Sequence, residues 1–387
     1  MNKKLLAAAV SAAVMAPVAH AESSFYARVN NAIDINDLSG DGTTDISGVG
    51  SRFGFKGNAD IGNGLTAHGR YEFSTVSDKE GTGVGDTRLA SVGLSGGFGR
   101  VDVGNQWSAY YDTFGTLVSP TYSLGYYLYS SVGGGPFRTS NTIKYSNTFG
   151  PLYAELDVRL DDGGSEHDDA EKIHGDGIGL GLSFSVTDNI TIAVAFDSED
   201  GTDGTDAVDA TDGSPAVPAS DDFAAAAVPI ISANGVITPG TPQIGTAAVD
   251  AVAPTAAVPA GPDAPDTDRV GVGVKVNLGA VAVTLGWQNY SVDDNENTAV
   301  DDEVDIDTMF INASGSLGEK TSWYLGYSEA DDGADAVPAT DDSTQLTWGI
   351  YHNLGGGMKL YYEATSLDSE NKGWDGDRHY LGMRIDF

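Results

Sequence analysis

Residues 268–291 read "DRVGVGVKVNLGAVAVTLGWQNYS", and their apolar positions recur with a period of two. Val270, Val272, Val274, Val276 and Leu278 fall on one parity; Gly271, Gly273, Lys275 and Asn277 fall on the other. After a short turn, Val281, Val283, Leu285 and Trp287 alternate with Ala282, Thr284, Gly286 and Gln288. This periodicity predicts two β-strands, each with one apolar and one polar face. Sixteen such segments follow one another, near 24–36, 48–59, 65–75, 86–95, 99–107, 138–148, 151–161, 175–187, 190–198, 268–278, 281–291, 304–316, 321–330, 342–353, 358–367 and 377–387. Most have the length of a tilted strand that crosses a bilayer.

The connections alternate as strictly as the side chains. Short ones such as "GNG" (62–64), "FGP" (149–151) and "GEK" (318–320) are interleaved with long ones near 37–47, 76–85, 108–137, 162–174, 199–267, 292–303, 331–341 and 368–376. Tight turns at one end and long loops at the other are the asymmetry of outer-membrane barrels. An even strand count lets the first and last strands pair antiparallel and leaves no edge. The expected fold is therefore all-β: a sixteen-stranded antiparallel transmembrane β-barrel. Its valine face meets lipid and its Gly/Lys/Asn/Gln face lines water, with backbone groups satisfied between strands. Tyr26, Phe53, Phe55, Trp287, Tyr290, Trp323, Trp348, Tyr361, Tyr362 and Tyr380 lie near strand ends and suit interfacial girdles. A large soluble sandwich explains neither the turn and loop alternation nor the polar inner parity.

The ends and the composition agree. Lys3 and Lys4, an apolar run and Ala19-His20-Ala21 read as a secretory signal peptide over 1–21, with the barrel over 22–387. Pro17 and the shortness of the run argue against a membrane anchor. There is no cysteine, which excludes disulfides, thiolate catalysis and Cys-ligated metal. The net charge of −36 argues against nucleic-acid binding and for a surface solvated by salt or cations. The loop 199–267 is low in complexity and acidic, rich in Ala, Pro and Asp. It reads as a mobile external insertion, with too few large apolar residues for a packed domain.

Several segments carry a family resemblance: "SRFGFKGNADIGNGLTAHGRYEF" (51–73), "DTRLASVGLSGGFGRVDVGNQ" (86–106), "NTIKYSNTFGPLYAELDV" (141–158) and the closing "HYLGMRIDF". With them the chain resembles the general diffusion porins of Gram-negative outer membranes. The resemblance implies a homotrimer in outer-membrane lipid and lipopolysaccharide, with Phe387 recognised by the barrel-assembly machinery. It implies a third external loop, 108–137, folded inward as a constriction, and a basic arc on the facing wall at Arg52, Arg88 and Arg138. Parity supports Arg52 and Arg138, leaves Arg88 to the resemblance alone, and adds Arg28 and Arg70 as lumenal positions. The loop departs from the family's acidic "PEFGG"-like segment. Asp112 is its only acid, and Tyr122, Tyr126, Tyr127 and Tyr129 occupy the stretch where acids are expected.

Candidate chemistry changes little. His68, His167, His174, His352 and His379 sit in no nucleophile motif, so no enzyme is expected; His68 has lumenal parity. "DLSGDGTTD" (37–45) has alternating oxygen ligands of calcium-loop type, but Gly48 stands where the bidentate acid belongs, and a plain surface loop is the simpler reading. No metal or cofactor is expected. The expected function is passive diffusion of ions and small hydrophilic solutes. The alternatives are a substrate-specific channel for sugars or nucleosides, suggested by the loop tyrosines, and a structural or adhesive surface barrel.

Overall fold

The computed structural model describes residues 22–38, 40, 42–78, 83–119, 121, 124–132, 134–160, 177–200, 230–231, 237–238, 266–292, 304–332, 342–369 and 375–387. The chain forms two units, Met1–Thr202 with Pro265–Phe387, and Asp203–Ala264. In the second, Ile230–Ile231 pairs antiparallel with Ile237–Thr238. The segment 1–21, expected to be a signal peptide, and nearly all of the acidic insertion lie outside the described residues.

The first unit is a closed antiparallel β-barrel of sixteen strands. They are β1 (Glu22–Asn36), β2 in two halves (Thr43–Gly48 and Arg52–Gly62), β3 (Leu65–Thr75), β4 (Val84–Gly96), β5 (Gly99–Trp107), β6 (Arg138–Phe149), β7 (Leu152–Arg159) and β8 (Gly177–Thr187). They continue with β9 (Ile190–Glu199), β10 (Thr267–Asn277), β11 (Val281–Val292), β12 (Val304–Leu317), β13 (Thr321–Asp332), β14 (Ser343–Gly355), β15 (Met358–Ser369) and β16 (Gly376–Asp386). Each strand pairs with its sequence neighbours, and β1 meets β16 from Arg28↔Asp386 to Asn36↔Arg378. Two ion pairs, Arg28–Asp386 (2.7 Å) and Arg378–Asp34 (2.8 Å), cross this seam. Seven connections are turns of two or three residues, alternating with the long ones.

All sixteen expected segments are strands, but β2 begins earlier and is interrupted. Between Asn31↔Gly48 and Arg28↔Arg52 the chain takes three steps along β1 and four along β2. The extra residue is absorbed at Val49–Ser51, where Gly50 has φ +66°, a value only glycine adopts freely. Asn30 holds the break through its main-chain N–H to Ser51 Oγ (2.9 Å) and its amide to Val49 O (2.7 Å).

Exposed apolar side chains ring the outside: Val29 and Ile33 on β1, Val92 and Leu94 on β4, Leu285 on β11, Met309 and Ile311 on β12, Leu381 and Met383 on β16. A belt of this extent is not a water-soluble monomer's surface, and it suits hydrocarbon. Phe25, Phe53, Phe55, Tyr71 and Phe73 cluster on it, the last two with ring centroids 4.6 Å apart. Part of the expected girdle is on the wrong face. Tyr26, Tyr290, Tyr361 and Tyr380 point inward: Tyr26 hydroxyl donates to Glu72, Tyr361 hydroxyl to Asn30 Oδ1 (2.9 Å), and Tyr290 packs with Leu128 and Val132 of the long loop. A phenol has an apolar body and a polar tip, so it suits a wet lumen as well as a membrane interface.

Candidate pore constriction

Glu72 organises the inner wall. It lies on β3 between the outward Tyr71 and Phe73, and its side chain is almost fully buried at 1% exposure. It accepts hydrogen bonds from Arg88 Nε (2.9 Å), Arg70 Nη2 (3.0 Å) and the Tyr26 hydroxyl (2.9 Å), with Arg52 Nε at 3.9 Å. A buried carboxylate is tolerated when such charge-assisted bonds fill its lone pairs. One anion thus gathers three guanidinium groups that would otherwise repel. Asp386 does the same on β16, bonding Arg28 (2.7 Å) and Arg384 (2.9 Å).

Arg28, Arg52, Arg88, Arg138 and Arg384 line one cavity of ≈ 550 Å³. From the loop 108–137 it is lined by Tyr111, Thr121, Ser130 and Phe137. Arg138 lies over the Trp107 ring at 5.3 Å, and Trp107 stacks on Tyr111 at 4.9 Å. Arg88 reaches this cavity through a bulge. Glu72 pairs with Leu89 and Phe73 with Thr87, so one step on β3 answers two on β4 and Arg88 is the extra residue. Without the bulge Arg88 would share the outward parity of Val92 and Leu94; with it, Arg88 turns in beside Leu89, which explains the ambiguous alternation of this strand.

The loop's described residues lie against inward positions of the wall. They include short helical turns at Tyr111–Gly115, Thr116–Val118, Leu124–Tyr126 and Tyr127–Val132. Tyr110, Phe114, Val118 and Tyr129 are buried together with Ala195 and Phe310. Burial pushes the Tyr110 and Tyr129 phenols above their ordinary range. Tyr129 hydroxyl donates to Pro136 O (2.9 Å), so this tyrosine is packing rather than pore surface. Wall amides tie the loop down: Gln288 Nε2 to Tyr129 O (3.1 Å), Gln345 Nε2 to Leu124 O (2.7 Å), and Asn312 Nδ2 to Val118 O.

The other sequence candidates separate. Asp112 does not face the arginine cavity. It bonds Lys144 Nζ (2.7 Å) and lines a smaller cavity of ≈ 250 Å³ with Arg70, Arg100 and Glu155. Arg70 also lines a third space of ≈ 580 Å³ with Lys56, His68 and Arg100. His68 is lumenal and contacts Ser95 Oγ at 2.6 Å. Tyr122 and the side chain of Tyr126 lie outside the described residues, as do Ser39 and Asp41 of the calcium-type loop. Among the described residues no cluster of His, Asp and Glu could hold a metal ion. Sequence reasoning missed Glu72, Arg384, Trp107 and Tyr111. Parity marks two of them: Glu72 shares the parity of Arg70, and Arg384 alternates with Met383 and Ile385.

Known proteins share the family pattern and the barrel fold. The sequence pattern of the family described as Gram-negative porin matches residues 7–372. Outer membrane protein F of Serratia marcescens is 29% identical over 221 residues, which cover 52% of this chain and 58% of that protein. Outer membrane porin PhoE of Enterobacter cloacae is 33% identical over 220 residues, covering 52% and 61%. The chain thus covers about three fifths of the length of these relatives. Among solved structures, the anion-selective porin from Comamonas acidovorans shares the fold, with TM-score 0.66 at 18% identity over 95% of this chain and 100% of that one. An OmpF of Salmonella typhi, solved with daunomycin, gives TM-score 0.62 at 15% identity over 94% and 97%. With the family pattern matched over nearly its whole length and the sixteen strands closed, this chain belongs to the Gram-negative porin family and is an integral β-barrel of the outer membrane.

Proposed function

We propose that the chain forms a water-filled channel for passive diffusion of ions and small hydrophilic solutes, and catalyses no reaction. The observation that carries this is the polar cavity between the basic wall and the inward loop, lined by five arginines. Its narrowest part is formed by Arg28, Arg52, Arg88 and Arg138, joined by Arg384, against the constriction loop 108–137. Arg70 belongs to the vestibule on the short-turn side. The loop acid Asp112 is neutralised by Lys144, so the basic wall meets a nearly neutral loop. Cations at a narrow neck act on passing ions with less screening than charges at the mouth. The acidic external loops concentrate cations at low salt, and the arginines favour anions once salt screens the mouth.

The functional unit is a homotrimer in lipid and lipopolysaccharide, preceded by a cleaved signal peptide and assembled through recognition of Phe387. The substrate-specific reading loses Tyr129 as a solute contact, because that side chain is buried in the loop's own packing. Swelling of proteoliposomes in uncharged sugars of increasing size tests the channel. Rates that fall smoothly with size, without saturation, are expected; saturation by one sugar indicates a specific site instead.

A further inference from the structure

We propose that four wall glycines set the width of this pore by fixing how close the constriction loop lies to the barrel wall: Gly181 on β8, Gly271 and Gly273 on β10, and Gly286 on β11. The proposal rests on the channel reading above. Strand register brings the four together. Gly181 faces Ala195 and Ala195 faces Gly271 along one rung; Ala193 faces Gly273 and Gly273 faces Gly286 along the next. The product is a low floor of glycine and alanine across four neighbouring strands, bounded by Ser183 on β8 and Gln288 on β11.

The loop lays an apolar ridge on this floor. A Cβ on Gly271 would stand 2.7 Å from Phe114 Cδ1, and one on Gly273 2.7 Å from Leu117 Cδ2. On Gly286 it would meet Val118 Cγ1 at 2.4 Å, and on Gly181 the carbonyl oxygen of Ala109 at 2.4 Å. None of the four has a positive φ, so backbone conformation does not call for glycine at these positions; the closeness of the loop does.

The displacement forced by a larger residue is one-sided. The floor strands are held on both flanks by continuous ladders, whereas the loop's other edge, at Tyr111 and Ser130, borders the arginine cavity. The bonds from Asn312 Nδ2 to Val118 O and from the Ala109 N–H to Asp157 Oδ2 (2.6 Å) pin the two ends of the ridge to the wall, so added bulk beneath Phe114 is taken up by the stretch between them. Bulk added beneath the ridge therefore moves the loop toward Arg52 and Arg88, and the pore narrows.

The test is Gly271→Leu in the full-length protein, alone and with Phe114→Ala. Two readouts are taken: single-channel conductance, and the distance between nitroxide labels on introduced cysteines at Ser130 and Arg52. The chain has no cysteine of its own, so only the introduced pair is labelled. In Gly271→Leu the label distance is expected to shorten and conductance to fall roughly twofold. Removing the Phe114 ring should restore both, which a merely destabilised barrel would not show. An unchanged or longer distance in Gly271→Leu, or no recovery in the double variant, overturns the proposal. A native protein that conducts no ions overturns the channel reading instead, while the label distance still decides what positions the loop.

Discussion

Replacing Arg52 and Arg88 together with serine is expected to shift the zero-current potential toward cations at high salt. Both side chains line the ≈ 550 Å³ cavity, and both approach the same buried carboxylate, Glu72. At about 1 M salt the Debye length is ~3 Å, so acids on the external loops no longer bias ions at the mouth. Charges at the neck still act, because two unit charges ~4 Å apart interact by about 4 kcal/mol at an effective dielectric constant of 20. A change in the anion-to-cation permeability ratio of roughly threefold needs well under 1 kcal/mol of that. The double variant should also leave Glu72 with Arg70 and Tyr26 as its bonded partners, adding a negative field to the loss of two positive ones. A zero-current potential equal to that of the native protein at high salt would show that these arginines are not where ions pass.

Glu72→Gln should act in the opposite direction and at greater cost. The carboxylate is the acceptor that holds Arg70 and Arg88, with Arg52 alongside. A neutral amide keeps the shape and loses the charge, leaving three guanidinium groups mutually repelling around a buried position. Removing one partner of a buried ion pair costs 3–5 kcal/mol in general; about 3 kcal/mol is expected here, the lower end, because Arg70 is partly exposed to the lumen. Unfolding by denaturant in detergent measures it. The same variant should become more anion-selective, the reverse of the double arginine variant. Native stability combined with native selectivity would contradict the role given to Glu72.

The extent to which this was legible in the sequence follows from what periodicity can carry. The sixteen strands and the alternation of turns and loops were readable because a lipid-facing strand must alternate and a tight turn needs glycine or asparagine, as at Gly62-Asn63-Gly64. Bulges were not readable, because one inserted residue reverses parity without changing composition. Arg88 is the clearest case: its alternation was ambiguous, and the resemblance to a family supplied what the pattern could not. The break of β2 at Gly50 is another. Tyr361 and Tyr380 were placed in the outer girdle because a tyrosine near a strand end suits either face. Gly271 and Gly273 read only as a polar, featureless parity, since the ridge they accept comes from a loop more than a hundred residues away in sequence. Glu72 was within reach, as it shares its parity with Arg70, but one acid among 56 Asp and Glu residues gives no signal until the arginines around it are placed.

The central claim is that ions cross this barrel through a neck whose basic wall sets their sign. Zero-current potential across a planar bilayer holding the purified native protein, under a fixed salt gradient at rising mean ionic strength, tests it most directly. The account predicts large ohmic conductance and mild cation preference at low salt, which weakens or turns toward anions as the external acids are screened. Absence of conductance, or a cation preference that holds undiminished to high salt, would contradict it.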